Sequence, residues 1–425
     1  MESGRWYRIS GDQPDLNLPA TPIGTRYLQD NDPAADPHIN PARTLKERCR
    51  RILGRKPHSP WHGRAGFAAI TEAWNSAVFA SRFGDCGSMI VFGGGHNNYF
   101  GSDVHAFDLA SRQWARIADG YITGKPDEYG SGIQYPDSTY PDGSPVPPHT
   151  YDYVQYDPVG NDFILMKGSL ALGPEPRAVA IPHMFNLDSL SWRRGPKHDA
   201  AILNAGGWTT WDASRRILWG HSGDDAGGNA FIGFRPDGKN KDGTFGQWGE
   251  LQPNKLPGFA NHNAMQIDCR GNIIVVCAHR KNALFALDPA APEIPLRRLN
   301  EDREKISLYP YAAVEFSPGR DCFVYFSAND GGSVFSIDPP AASAWPELVH
   351  GIWRWSCLTA SQSELDPIED AAVATACNIN RTHTFGRFRV ANFGKTDLAI
   401  LIRHVDTPVY AMKLTWPPEQ CGLSK

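Results

Sequence analysis

The feature that most constrains this chain is a repeat of about fifty residues that occurs six times. In its first copy two apolar runs, AWNSAVFAS and SMIVFGGG, are followed by a loop and by the shorter runs VHAFDL and WARI. The first two copies each end in a Trp seven residues after a Phe, at Trp114 and Trp192. The later copies begin at Gly206, Asn261, Tyr309 and Thr382. Each unit is therefore predicted to be a meander of four antiparallel strands.

A single four-stranded meander exposes an apolar face, and radial packing of six or seven such units buries those faces. We therefore predict an all-β fold, a β-propeller of six or seven four-stranded antiparallel blades. The N-terminal run WYRIS is an isolated strand with a Trp, and we expect it to close the ring by completing the last blade. The predicted division is 1–65 for the closing strand and an irregular extension, 66–416 for the propeller, and 417–425 for a tail.

Charge and composition argue against several classes of protein. The net charge of −4 provides no basic field for nucleic acid, and no apolar run is long enough to span a membrane. The eight cysteines form no CxxC pair and indicate neither a disulfide framework nor a zinc site. The N-terminus lacks the apolar core of a signal peptide, so we expect a cytoplasmic protein or a trimmed secreted one. We expect a monomer without nucleic-acid or membrane partners.

The motifs of the repeat are similar to those of the kelch and galactose-oxidase-central-domain superfamily. The similarity covers residues 66–416 and rests on FGGG at 92–95, the aromatic-to-Trp spacing and the recurring Asp-containing turns. The segments GGGHNNYFGSDVHAFDL and THTFGRFRV also resemble bacterial kelch-like proteins. The architecture is similar to that of some propeller-fold polysaccharide lyases, and this resemblance implies His, Tyr and Arg side chains at the mouth of the central channel.

Candidate site residues follow from blade geometry. In a propeller blade, the segment before the first strand and the loop between the second and third strands reach the same mouth of the ring. Histidines recur at these positions, namely at His96, His149, His221, His262, His279 and His383. The alternative is that such side chains satisfy buried backbone groups at the blade ends.

We predict His96, His149 and Tyr151 as the catalytic residues. Pro147 and Pro148 stiffen the chain before His149, and three glycines allow a tight turn before His96. Both side chains are therefore expected to be held by the backbone. The residues predicted to bind substrate are His221, His262, Arg280, His383 and Arg387.

This set of side chains suits β-elimination from a uronic acid. Histidine and tyrosine transfer protons, and arginine binds carboxylates with paired hydrogen bonds. In the elimination, the substrate carboxylate is neutralised, a base removes the adjacent proton, and an acid protonates the leaving glycosidic oxygen. We therefore predict a polysaccharide lyase that cleaves an oligo- or polysaccharide containing uronic acid.

Other functions remain open at this point. A kelch-type propeller binds glycans or proteins through the same mouth without catalysis. A glycoside hydrolase needs two carboxylates, for which Glu72 with Asp224 or Asp225 qualifies. His221 with the same two aspartates is a candidate metal site. A copper radical oxidase needs a Cys beside a Tyr, and no convincing Cys occupies such a place. We expect no cofactor, and leave open a structural or active-site divalent metal.

Overall fold

The structure is a computed structural model, and the account below covers only part of the chain. The described residues are 1–10, 70–71, 74–94, 101–118, 121, 135–169, 178–199, 203, 206–221, 230–252, 262–303, 306–342, 344–360, 367, 384–403 and 407–414. The expected N-terminal extension and C-terminal tail fall almost wholly outside these ranges.

The first half of the chain forms three antiparallel blades of four strands each. Strand β1 (Trp6–Arg8) precedes them and belongs to the last blade. Blade 1 comprises β2 (Ala77–Ala80), β3 (Ser88–Val91), β4 (Val104–Asp108) and β5 (Gln113–Ala118). Blade 2 comprises β6 (Val154–Asp157), β7 (Asp162–Leu165), β10 (His183–Asn186) and β11 (Ser191–Arg194), with the short pair β8 (Gly168–Ser169) and β9 (Ala178–Val179) inserted. Blade 3 comprises β12 (Trp208–Asp212), β13 (Ile217–His221), β14 (Phe231–Lys239) and β15 (Phe245–Trp248).

The second half forms three further blades. Blade 4 comprises β16 (Ala264–Ile267), β17 (Ile274–Ala278), β18 (Ala283–Leu287) and β19 (Arg297–Arg298), with a 3₁₀ turn at His279–Lys281. Blade 5 comprises β21 (Ala313–Ser317), β22 (Cys322–Phe326), β23 (Val334–Asp338) and β24 (Ile352–Cys357). It also contains a 3₁₀ turn at Ala328–Asp330 and helix α1 at Trp345–His350. Strand β20 (Asn300–Asp302) adds to its outer edge. Blade 6 comprises β25 (Phe388–Phe393), β26 (Thr396–Ile402), β27 (Val409–Lys413) and β1.

The blades form a closed ring. Each inner strand contacts the next one in chain order. The contacts run from β2 to β6, from β6 to β12, from β12 to β16, from β16 to β21 and from β21 to β25, and β25 contacts β2. The predicted all-β propeller is therefore confirmed, and its blades number six in the described part of the chain.

The N-terminal strand closes the ring, as the isolated Trp-containing run predicts. Strand β1 pairs antiparallel with β27, and Trp6 lies opposite Met412. The Trp6 side chain is 3% exposed, and its indole N–H donates to the Gly332 carbonyl of blade 5 (2.6 Å). The first and last segments of the described chain are thus joined in one sheet.

Apolar layers between neighbouring blades hold the ring together. Successive side chains of a strand point to opposite faces, so each strand contributes to two layers. In blade 1, Met89 and Val91 pack toward blade 6, whereas Ile90 and Phe92 pack toward blade 2. Fully buried strands of this kind explain why the sequence shows near-continuous apolar runs such as SMIVF.

Arginines link neighbouring blades at the face opposite the predicted site. Each stands in the hairpin between the first and second strands of its blade and reaches an acceptor on the following blade. The pairs are Arg82 with the Pro158 carbonyl (2.7 Å), Arg215 with the Gly271 carbonyl (2.8 Å), Arg270 with Asp321 (2.7 Å) and Arg320 with the Leu414 carbonyl (3.0 Å). The hairpins therefore act as a polar belt outside the apolar layers.

Two further observations complete the fold. Among the helices of the described residues, none has the length and apolar character needed to cross a membrane. The cysteines placed within the described ranges are free thiols at positions 86, 269, 277, 322 and 357.

Candidate functional site at the channel mouth

A left-handed backbone turn recurs two or three residues before the inner strands. Four of these turns place a large side chain at positive φ, and in blade 3 the turn is at Gly206 (φ 70°). Positive φ is uncommon for residues other than glycine, and such strain persists only where surrounding contacts impose it. The four residues are Tyr151 (φ 46°), His262 (φ 67°), Tyr311 (φ 62°) and Phe385 (φ 45°).

Backbone hydrogen bonds link these turns from blade to blade. The Tyr151 N–H donates to the Trp74 carbonyl of blade 1 (2.8 Å). The Tyr311 N–H donates to the His262 carbonyl (3.1 Å), and the Phe385 N–H donates to the Tyr311 carbonyl (3.4 Å). The turns therefore lie at one mouth of the ring and are held by main-chain contacts.

The side chains at this mouth form a closed ring of six aromatic groups, which we name the mouth cluster. They come from five blades, and their separations fall within or slightly below the usual range for aromatic pairs. The centroid distances around the ring are Trp74–His149 5.2 Å, His149–Tyr151 5.8 Å, Tyr151–His262 5.6 Å, His262–Tyr311 4.2 Å, Tyr311–Phe385 4.9 Å and Phe385–Trp74 6.5 Å.

The mouth cluster has an accessible edge and a buried base. Trp74 is 36% exposed, and His262 and Tyr311 are half-buried. Tyr151 and His149 are only 4% and 5% exposed. Burial raises the pKa of Tyr151 above its ordinary value, and the neighbouring Tyr311 raises it further. Tyr151 is therefore held as the neutral phenol at physiological pH.

A buried lysine lies against the base of the mouth cluster. Lys167 follows strand β7, and its side chain is buried. Its Nζ atom is 4.9 Å from the ring centroid of Tyr151 and 5.5 Å from that of Tyr153. Both distances lie within the range of cation–π attraction, which fixes the ammonium beside the Tyr151 ring.

Beneath the mouth cluster, charged side chains bridge the inner strands. The Arg389 guanidinium of blade 6 donates to Glu315 of blade 5 (2.5 Å) and to Asp152 of blade 2 (2.9 Å). It also donates to Ser76 of blade 1 (3.1 Å). Burial is the main cause that raises the pKa of Asp152 to about 7, Arg389 lowers it, and Glu315 raises it. This network forms a polar floor below Tyr151.

Gly386 is required where the polar floor meets the mouth. Its φ of +78° belongs to the left-handed region, and a Cβ atom added there would overlap Ser76 and Asp152. Only glycine satisfies both the conformation and the space.

The structure brings together three of the predicted site residues, His149, Tyr151 and His262. Two others, His96 and His383, lie outside the described residues. Their predicted roles, like those of the three clustered residues, stay predictions.

The remaining predicted residues lie apart from the contacts of the mouth cluster. His221 is 2% exposed and stacks on Trp208, with centroids 4.3 Å apart. Arg280 is exposed in the 3₁₀ turn of blade 4. Beside it, the His279 ring is hydrogen-bonded to Asn263 (3.0 Å), and burial lowers its pKa to about 4, with a further decrease from Arg280.

Arg387 is bonded within the protein, and its predicted role in substrate binding stays a prediction. Arg387 is 1% exposed. Its guanidinium donates to the backbone carbonyls of Asn75 (2.6 Å), Ile402 (3.3 Å) and Arg403 (3.5 Å). A guanidinium bonded in this way joins blade 6 to blade 1.

Sequence reasoning missed Trp74, Phe385 and the polar floor. A signal for the two aromatic residues is present, because an aromatic side chain recurs two or three positions before the inner strands of several repeats. No comparable signal identifies Arg389, Glu315 and Asp152 as partners, since they meet only across the ring.

The described residues include no group of three or more His, Cys, Asp or Glu side chains arranged to hold a metal ion. The candidate ligands Asp224 and Asp225 lie outside the described ranges. The two carboxylates of the polar floor, Asp152 and Glu315, both pair with Arg389.

Comparison with known proteins adds no family assignment. No family model matches the sequence, and no curated protein matches it. Among solved structures, the major allergen Mala s 1 of Malassezia sympodialis is 9% identical, with a TM-score of 0.42 and coverage of 82% of this chain and 93% of that chain. A Bacteroides thetaiotaomicron protein of unknown function is 8% identical, with a TM-score of 0.39 and coverage of 76% and 66%. TolB from Acinetobacter baumannii is 12% identical, with a TM-score of 0.35 and coverage of 66% and 56%.

Proposed function

We propose that the mouth cluster binds an oligo- or polysaccharide containing uronic acid and cleaves it by β-elimination. The observation that carries this proposal is the closed ring of six aromatic groups, in which His149 and Tyr151 are neighbours. The exposed Trp74 and the half-buried Tyr311 are aromatic rings of the kind on which a sugar ring stacks. Histidine and tyrosine side chains in the same ring supply groups that transfer protons.

The proposed reaction divides the proton transfers between two residues. Neutral His149 removes the proton at C5 of the uronate, the C5–H electrons form the C4=C5 double bond, and the C4–O bond breaks. Tyr151 donates its phenolic proton to the departing glycosidic oxygen. Burial suits Tyr151 to the acid role, because its raised pKa keeps the proton in place until the oxygen develops negative charge. The proton on His149 then returns to Tyr151 through solvent.

The test is a screen of uronate polysaccharides for the ultraviolet absorbance of the unsaturated product. For a substrate that responds, His149→Ala and Tyr151→Phe are each expected to lower kcat by about 10²- to 10⁴-fold, the usual contribution of a general acid or base. Tyr7→Phe, on the closing strand far from the mouth, is the matched control and should keep full activity. Full activity in both mouth variants would refute the assignment of these residues.

A second candidate function is glycan binding without cleavage. It is favoured by the burial of His149 and Tyr151, since both lie beneath the more accessible Trp74 and Tyr311. This function predicts saturable glycan binding measured by calorimetry, loss of affinity in Trp74→Ala, and no unsaturated product. The two functions thus differ in product formation and agree on the binding surface.

A further inference from the structure

The 3₁₀ turn of blade 4, His279–Lys281, lies at the mouth and is anchored to the chain around it. It joins the second and third strands of its blade, a connection that reaches the mouth. Asn282, at φ 44°, closes the turn by donating its N–H to the His279 carbonyl (3.0 Å). The Asn282 carbonyl accepts from Arg303 (2.6 Å), and its side-chain oxygen accepts from the Leu308 N–H (3.0 Å). These contacts hold the turn in one position.

Asn263 determines which nitrogen of the His279 ring carries the proton. Its Oδ1 atom accepts the His279 backbone N–H (3.2 Å), so the oxygen of this amide faces the turn. The same oxygen lies 3.0 Å from Nδ1 of the ring, and an amide oxygen only accepts hydrogen bonds. Nδ1 therefore carries the proton, and Nε2 of the neutral ring presents a lone pair. Burial lowers the pKa of His279 to about 4, which keeps the ring neutral at physiological pH.

The lone pair on Nε2 is accessible and lies beside the mouth cluster. His279 is half-buried, and in the described part of the chain its Nε2 atom makes no hydrogen bond and is not enclosed by protein. Asn263, which holds the His279 ring, directly follows His262 of the mouth cluster. One residue and one hydrogen bond thus separate the cluster from His279. A ligand that stacks on the cluster and extends over blade 4 meets this nitrogen.

Arg280 supplies a positive charge in the same turn. Its side chain is exposed, and among the residues that the structure describes it has no ion pair and no hydrogen-bond partner. The guanidiniums of Arg387 and Arg389, by contrast, are bonded to carbonyls and carboxylates of the protein. An unpaired guanidinium binds a carboxylate through two parallel hydrogen bonds. The turn therefore combines an accessible neutral acceptor with an accessible cation.

We infer that this turn is a second sugar subsite beside the mouth cluster, in which Nε2 of His279 accepts a hydrogen bond from a ring hydroxyl and Arg280 pairs with a carboxylate. A uronate matches both groups, because it carries a carboxylate and hydroxyl groups on one ring. The inference rests on the proposed function and specifies its substrate as a chain in which a second uronate adjoins the one at the mouth cluster.

The experiment changes one contact at a time. Trimers of galacturonate, glucuronate and guluronate, each as the free acid and as the methyl ester, are titrated by calorimetry into Tyr151→Phe, which lacks the proposed acid and so preserves the ligand. Adding Arg280→Gln should weaken binding of the free acid about 5-fold, the upper range for an exposed ion pair, and leave binding of the ester unchanged. Adding His279→Phe should weaken binding of acid and ester alike, by about 2- to 10-fold, the contribution of one neutral hydrogen bond.

Two control variants are made in the same background. His279→Gln keeps a side-chain acceptor and should restore part of the affinity that His279→Phe loses. Lys241→Gln removes an exposed charge between the third and fourth strands of blade 3, on the opposite face of the propeller, and should leave both affinities unchanged. The urea midpoint of each variant checks that the propeller is folded.

The outcomes distinguish this subsite from the proposed function. If a trimer binds, and Trp74→Ala abolishes binding while Arg280→Gln and His279→Phe leave it unchanged, the mouth binds glycan and the subsite on blade 4 is refuted. If Arg280→Gln weakens binding of acid and ester equally, Arg280 does not recognise the carboxylate, which overturns the inference. If no trimer binds, the proposed function fails, and this inference fails with it.

Discussion

Removing the Trp6 side chain tests how the propeller is closed. Trp6 is buried between blades 5 and 6, where it packs edge-on against Phe326 with centroids 6.0 Å apart and donates to the Gly332 carbonyl (2.6 Å). Trp6→Ala removes a large buried side chain and leaves a cavity, which typically costs about 3–5 kcal/mol. Trp6→Phe keeps much of the packing but loses the hydrogen bond and should cost about 1–2 kcal/mol.

Urea unfolding followed by far-ultraviolet circular dichroism measures these changes in the free energy of unfolding. Arg8→Ala is the matched control, because Arg8 stands on the same strand and is exposed, so its effect should stay within about 0.5 kcal/mol. The reasoning is refuted if Trp6→Ala unfolds at the wild-type urea concentration. That result would make the N-terminal strand an appendage and not a part of the cooperative ring.

Three further predictions concern the polar floor and the polar belt formed by the hairpins. Gly386→Ala forces a methyl group against Ser76 and Asp152 and should lower the free energy of unfolding by about 1–3 kcal/mol, measured by urea unfolding; wild-type stability would contradict the overlap. Burial raises the pKa of Asp152 to about 7 in the folded protein, above the value of about 4 in the unfolded chain. Protonation of Asp152 therefore stabilises the folded protein fully below the unfolded pKa, and this contribution is lost as the pH rises from about 4 to 7. Asp152→Asn should flatten the dependence of the urea midpoint on pH across that window. Identical slopes in wild type and variant would contradict the raised pKa of Asp152. Arg215→Ala removes a link to blade 4 and should lower the free energy of unfolding by about 1 kcal/mol in the same assay. An unchanged free energy of unfolding would show that this link in the polar belt does not stabilise the fold.

The repeat made the architecture predictable, because each copy carries its own apolar strands and turns. Closure by WYRIS was predictable because this strand-like run lies far from the first repeat and has no neighbouring strands in the sequence. The number of blades was less constrained, since a seventh could have stood in the segments where the pattern is absent. The pairing of six inner strands in one ring decides this point.

The site was predictable as a location and less so as a set of side chains. Chain direction places the turns before the inner strands at one mouth, where His149, Tyr151 and His262 are in contact. Whether an arginine just before an inner strand, such as Arg387, reaches a ligand or a carbonyl depends on residues far away in the chain. Arg387 bonds to Asn75, a partner that no local pattern identifies.

The left-handed turns explain why the aromatic residues were harder to recognise. Tyr311 and Phe385 look like the start of apolar strands in the sequence, but their positive φ directs them into the mouth cluster. Backbone conformation of this kind is imposed by contacts between blades and is not encoded by the residue type.

The most direct test of the account is a crystal structure of Tyr151→Phe with a bound uronate oligosaccharide. The account predicts a sugar ring stacked on Trp74 or Tyr311. The C5 proton should lie within reach of a His149 ring nitrogen, at the separation of about 3–3.5 Å that reacting groups require. An oligosaccharide bound on another face of the propeller, or at the mouth with its C5 directed away from His149, would contradict the account.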